Sequence, residues 1–233
     1  MKIVIDTKEN IANLVSDKFV DLVKENPHAV LGLATGSTPI DTYKLIIKKA
    51  KEQNVSFKNV KTFNLDEYVN YPFYESSYRF FMDDNLFNHL DINKENTNFP
   101  SEDNYQDYDN QIAKAGGVDL QILGIGANGH IGFNEPNTPF DSLTHITGLD
   151  KKTIQDNARF FSSIDEVPTS AITMGLQTIM NSKEVVLIAL GKNKQDAIKA
   201  LIDNVGPSCP ASILNSHPNV TIYCDEDAAS LIK

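Results

Sequence analysis

The chain is short of cysteine, short of clustered positive charge, and has no long apolar run. Its 233 residues hold two cysteines, Cys209 and Cys224, set fifteen positions apart with no Cys-x-x-Cys pair. That spacing signals neither a disulfide framework nor a zinc site, and both read as buried thiols. Lys and Arg number 21 against 31 Asp and Glu, for a net charge of -10, and basic residues cluster nowhere beyond Lys48 to Lys51. The electrostatic footprint of a nucleic-acid or anionic-membrane partner is therefore missing. No stretch approaches the roughly 18 apolar residues of a membrane span, and the opening MKIVIDTKEN turns polar too early for a signal-peptide core. The expected location is cytoplasmic, and an anionic substrate would have to be held by local groups.

What is present is an ordinary globular balance, 41% apolar and 22% charged, enough to bury the core of a single domain over residues 1–233. Ile11, Leu14, Val15, Phe19, Leu22 and Val23 recur at three-and-four spacing and predict an amphipathic helix from about Asn10 to Glu25. Four short apolar runs then read as buried strands: Ala29 to Ala34, Val60 to Leu65, Val118 to Ile125 and Glu184 to Leu190, with a weaker one at Val220 to Cys224. Helical patterns separate them at Pro39 to Glu52, Ser77 to Leu90, Asn104 to Ala115, Thr169 to Met180 and Asn193 to Asp203. This alternation predicts an α/β fold with a doubly wound, mainly parallel sheet flanked by helices, Rossmann-like in kind. Right-handed crossovers bring the carboxyl ends of parallel strands to one edge, where ligands sit. The longest irregular stretch, Pro136 to Thr153, is a lid candidate within about 136–170.

Three predicted strand ends carry chemistry. In Thr35-Gly36-Ser37-Thr38-Pro39 a strand runs through glycine into two hydroxyls and a helix start, which makes an anion cup from free N–H groups and a helix dipole. The same residues would serve a plain capped turn. Asp66-Glu67 follows a run that should be buried, so one carboxylate emerges at the rim of the core, where desolvation raises its pKa and suits it to proton abstraction. Successive side chains diverge, so only one of the two should face a ligand. In Leu123 to Pro136, LGIGANGHIGFNEP, Asn128, His130, Asn134 and Glu135 lie among glycines that permit close backbone approach. The His130 imidazole can take up and hand on a proton and Glu135 can orient it, an arrangement for moving protons on a small phosphorylated substrate. The segment also matches G-x-G-x-x-G, but no long helix can follow through IGFNEP, so a dinucleotide site is rejected. His28, His89, His145 and His217 are scattered, and no metal or cofactor is implied. Arg159, Lys192 and Lys194 are the basic residues placed to reach a phosphate.

On the motifs GLATGSTP (Gly32 to Pro39), TFNLDEYVN (Thr62 to Asn70), LGIGANGHIGFNEP, DNARFF (Asp156 to Phe161) and ALGKNK (Ala189 to Lys194), the sequence resembles the glucosamine-6-phosphate deaminase family over nearly its whole length. The resemblance implies conversion of glucosamine 6-phosphate and water to fructose 6-phosphate and ammonia, with no cofactor. Carried over by position, it implies Asp66 as the enolising base, His130 as the proton carrier in ring opening and Glu135 as its partner. Gly36, Ser37, Thr38, Arg159 and Lys194 would hold the phosphate. Asn128 stands where many members have Asp; an amide orients His130 by hydrogen bonding but brings no negative charge. Larger members have a longer C-terminal tail and form regulated hexamers, so the short chain implies an unregulated monomer or small homo-oligomer whose partner is a small sugar phosphate. Two alternatives have separate signatures. A 6-phosphogluconolactonase typically continues GH into T-A-S-L-F-P, not IGFNEP, and a sugar-phosphate sensor would carry a DNA-binding domain, of which nothing precedes Ile3.

Overall fold

The computed structural model describes all residues except 70–73, 150–152, 156–157, 159–160, 162, 204 and 233. Among the described residues the strands are β1 (Lys2–Ile5), β2 (Val30–Leu33), β3 (Lys61–Asn64), β4 (Asp66–Tyr68), β5 (Thr97–Asn98), β6 (Leu120–Leu123), β7 (His145–Gly148), β8 (Ser170–Thr173), β9 (Glu184–Ala189) and β10 (Val220–Cys224). The helices are α1 (Lys8–Glu25), α2 (Ile40–Glu52), α3 (Tyr78–Asn85), α4 (Tyr105–Lys114), α5 (Leu176–Met180) and α6 (Gln195–Asp203).

Seven strands form one all-parallel sheet in the order β1-β10-β9-β6-β2-β3-β5. The expected doubly wound α/β architecture is what the chain adopts. Every residue of β2, β6 and β10 is buried, which is why these strands read as continuous apolar runs rather than as alternation. From β2 the chain winds outward through β3 and β5, then returns to β6 on the other side and continues to β9 and β10. The reversal lies between β2 and β6, and a crevice opens beyond the carboxyl ends of strands at such a point.

The sequence patterns missed a second sheet of three antiparallel strands, β4-β8-β7. Two expectations change because of it. The predicted helix over Thr169 to Met180 is helical only at α5, because Ser170 to Thr173 pairs on both sides as β8. Its apolar spacing fits either form, and the non-local partners decide. The stretch Pro136 to Thr153 is not wholly irregular, since it supplies β7. Strand β1 and the two-residue β5 were likewise not foreseen. Both cysteines are buried and free, as expected.

Helix α1 is held at its start by Thr7, whose hydroxyl accepts from the Asn10 amide at 3.2 Å. It buries Ile11, Val15, Phe19 and Val23. A smaller apolar group, Tyr68, Phe133 and Ala171 with Tyr78 and Phe161 against it, lies beside the second sheet. Among the described residues no helix is long and apolar enough to cross a membrane.

Candidate active site

A cavity of about 440 Å³ lies over the reversal point. The β2 turn contributes Thr35, Gly36 and Thr38; the β4 start, Asp66 and Tyr68; α3, Tyr78; the loop after β6, Gly124 to Ala127 with His130, Gly132 and Phe133. Lys194 enters from the turn after β9, and Thr153 and Phe161 come from beyond β7. Three sequence-predicted strand ends are thus brought to one hollow.

Asp66 owes its position to a change of sheet. The Leu65 amide donates to Leu33 O in the large sheet at 2.9 Å, and Leu65 O accepts from Met174 N at 2.7 Å beside the small one. One residue later Asp66 pairs with Thr173, so its carboxylate emerges where both sheets shield it. It is 6% exposed. Burial, reinforced by the charge of Glu67, pushes its pKa up to about 8. Glu67 points elsewhere: its two oxygens accept from the amides of Tyr68, Tyr78 and Arg79 at 2.9 to 3.0 Å. It caps the first turn of α3 and so places Tyr78 in the cavity wall. The expected divergence of the two acids is realised, with a structural task for the second.

The loop after β6 folds back on itself, Gly126 N donating to His130 O at 2.9 Å. A Cβ on Gly126 would lie 2.1 Å from the His130 ring, so glycine here is what lets the imidazole lie flat on the backbone. Gly132 has φ +58° and sits 3.8 Å, measured from where its Cβ would be, from the Asp66 carboxylate. The loop is pinned to the end of β8: Phe133 N donates to Thr173 Oγ1 at 3.0 Å, and the buried Asn134 amide donates to Ile131 O and Met174 O at 2.9 and 2.8 Å. Asn134, one of the polar residues that made this segment conspicuous, is an anchor.

Behind the His130 ring stand the other two. His130 Nδ1 is 2.7 Å from Asn128 Oδ1, and Asn128 Nδ2 donates to Glu135 Oε2 at 2.7 Å. In this orientation the Asn128 carbonyl oxygen can only accept, so Nδ1 carries the proton and Nε2 is the basic nitrogen. Glu135 Oε2 is also 3.5 Å from Nδ1. Burial works to raise the Glu135 carboxyl, but hydrogen bonding and charge from His130, with the Thr153 hydroxyl and the Asn128 amide, outweigh it and hold the pKa at about 2. Glu135 is therefore an anion that orients and stabilises, not a proton store.

At the other end, Tyr43 of α2 accepts from Ala34 N at 3.2 Å and donates to Ala34 O at 2.6 Å, fixing the β2 turn against the helix. Helix α2 starts after Pro39 with no side-chain cap, leaving its first amides available to an anion. Gly36 and Thr38 line the hollow, whereas Ser37 is exposed and is not part of the lining. Arg159 lies outside the described residues. Thr35, the first residue of the predicted cup segment, also lines the hollow; Tyr78 and Thr153 were not singled out by sequence reasoning, because they sit on segments distant in the chain and only the tertiary fold reveals them. Among the described residues no group of three or more His, Cys, Asp or Glu side chains is placed to hold a metal ion.

Comparison with known proteins gives the family. The family model for glucosamine-6-phosphate isomerases and 6-phosphogluconolactonase matches residues 6–223. The chain is 49% identical to glucosamine-6-phosphate deaminase of Shouchella clausii (strain KSM-K16), covering 96% of this chain and 94% of that one. It is 51% identical to the enzyme of the same name from Mycoplasma mycoides subsp. mycoides SC, covering 98% and 96%. A solved monomeric glucosamine-6-phosphate deaminase superposes with a TM-score of 0.95 at 43% identity, covering 99% of this chain and 100% of that one. The 6-phosphogluconolactonase of Leishmania guyanensis reaches 0.79 at 16% identity, covering 100% and 98%, which is a likeness of fold. The chain belongs to the glucosamine-6-phosphate isomerase and 6-phosphogluconolactonase family.

Proposed function

We propose that the protein is a glucosamine-6-phosphate deaminase, releasing fructose 6-phosphate and ammonia from glucosamine 6-phosphate and water. The observation that carries this reading is one cavity lined by a desolvated carboxylate, Asp66, an imidazole with an ionised partner, His130, and an anion cup at the far end. The deaminase relatives at about half identity support it.

The 6-phosphate sits on Gly36, Thr38 and the uncapped start of α2, with Lys194 and Arg159 supplying charge. His130 Nε2 takes the proton of the O1 hydroxyl and returns it to O5, so the pyranose opens to the aldehyde. Asn128 orients the imidazole, and the ionised Glu135 stabilises its cationic form. Asp66 then removes the C2 proton, giving an enolamine. Reprotonation at C1 produces a ketimine, water adds at C2, and ammonia leaves. A carboxylate with a pKa near 8 is a stronger base than a solvated one, and the ammonium on C2 favours its ionised form once substrate binds. The C1 carbonyl takes up the electron pair released at C2, the amine nitrogen returns it to C1 as the ketimine forms, and the enzyme works as a monomer, like the solved relative.

The test is a substrate pair. Ammonia and fructose 6-phosphate should form in equal amounts from glucosamine 6-phosphate, with 6-phosphogluconolactone left unhydrolysed. Hydrolysis of the lactone without ammonia from the amino sugar would overturn the reading.

A further inference from the structure

The backbone of Glu135 is fixed by its neighbours, since its carbonyl accepts from Thr138 N at 3.0 Å and Thr138 Oγ1 at 2.7 Å and its amide donates to Phe133 O at 3.1 Å. None of these bonds touches the side chain, whose three torsions would let the carboxylate turn away from His130. Two contacts stop that. Asn128 Nδ2 holds Oε2 at 2.7 Å, and the Thr153 hydroxyl donates to Oε1 at 2.7 Å. Thr153 lies beyond β7, eighteen residues along the chain from Glu135. It is 7% exposed and forms part of the cavity wall.

We infer that Thr153 is a positioning residue for the reaction, acting through Glu135: its hydroxyl locks the second carboxylate oxygen so that the first faces Asn128 and His130. This rests on the reading of Glu135 as the partner of His130. A carboxylate held at one oxygen only can pivot about that contact. Held at both, it presents a fixed edge to the Asn128 amide, whose carbonyl oxygen then faces Nδ1 and keeps the ring in the Nδ1-protonated form that opens the sugar.

Thr153→Val keeps the shape and removes the donor. Its kcat should fall by about 10-fold or more, the effect of losing a hydrogen bond to a charged group, while KM stays within about twofold because no phosphate contact is lost. Thr153→Ser restores the hydroxyl and should recover most of kcat. In a Glu135→Gln background, Thr153→Val should cost little further, because the two residues act as one unit. Full kcat in Thr153→Val, failure of Ser to rescue, or an equal loss in the Glu135→Gln background would each overturn the inference. Full activity of Glu135→Gln alone is a different result: it removes the reading of Glu135 and this inference with it.

Discussion

The Asp66 carboxyl is held in an environment that opposes its charge, so removing that charge should stabilise the fold while ending catalysis. The perturbation is Asp66→Asn, which keeps shape and polarity. In the folded protein the pKa is about 8 against an ordinary 3.8, roughly four units, and at ~1.4 kcal/mol per unit the ceiling on the penalty is ~5 kcal/mol. Relaxation and water entry reduce such penalties, leaving ~2 kcal/mol as the working figure. The sign follows from proton counting. Between pH 3.8 and about 8 the unfolded chain has released this proton and the folded chain still holds it. Stability from this group is therefore lost as pH rises across that window. Asp66→Asn lacks that slope. Its thermal midpoint should exceed that of the wild type by ~4 to 8 °C near pH 8, where ~2 kcal/mol converts at ~2 to 4 °C per kcal/mol for a chain of this size. The gap should close towards pH 4. A gap that is absent near pH 8, or of equal size at both ends, would refute the claim that the site desolvates Asp66.

Further perturbations separate the parts of the site. Lys194→Ala should raise KM by about 10-fold with kcat little changed, and weaken inhibition by inorganic phosphate, if the ammonium serves phosphate binding; steady-state kinetics decide. Gly126→Ala places a methyl group where the imidazole lies, so kcat should drop by roughly 100-fold with the folded circular dichroism spectrum retained. Asn128→Leu removes the acceptor for Nδ1 and should lower kcat by about 100-fold at nearly constant KM; a variant with wild-type turnover would show that the tautomer is set elsewhere. Glu67→Ala leaves three backbone amides without their acceptor and should cost ~2 kcal/mol in urea denaturation.

The large sheet was legible because buried parallel strands are continuous apolar runs ended by Gly, Asn or Asp, as Ala29 to Ala34 and Glu184 to Leu190 are. The small sheet was not. Strand β4 is three residues with two acids, and β7 alternates half-buried and exposed positions without a strong apolar signal. Both exist because β8 lies between them, which no local pattern announces. At the site, the glycine-rich segment declared His130, Asn128 and Glu135, since their partners lie within eight residues of one another. Individual roles were less legible: within that segment Asn134 turned inward as an anchor, and in the separate Thr35 to Pro39 cup Ser37 is exposed and outside the lining. Thr153 and Tyr78 escaped because they belong to the site only through tertiary contacts, one through a hydroxyl on Glu135 and the other through the Glu67 cap on α3.

The most direct test of the account is ammonia release by Asp66→Asn, followed beside the wild type from about pH 5 to pH 9, a range spanning its shifted pKa. A base that must lose its proton to act predicts wild-type kcat/KM rising with pH towards about 8. It also predicts that the variant, folded and more stable, stays at least ~100-fold slower at every pH. Turnover by Asp66→Asn within about 10-fold of the wild type at any pH would contradict Asp66 as the group that takes the C2 proton.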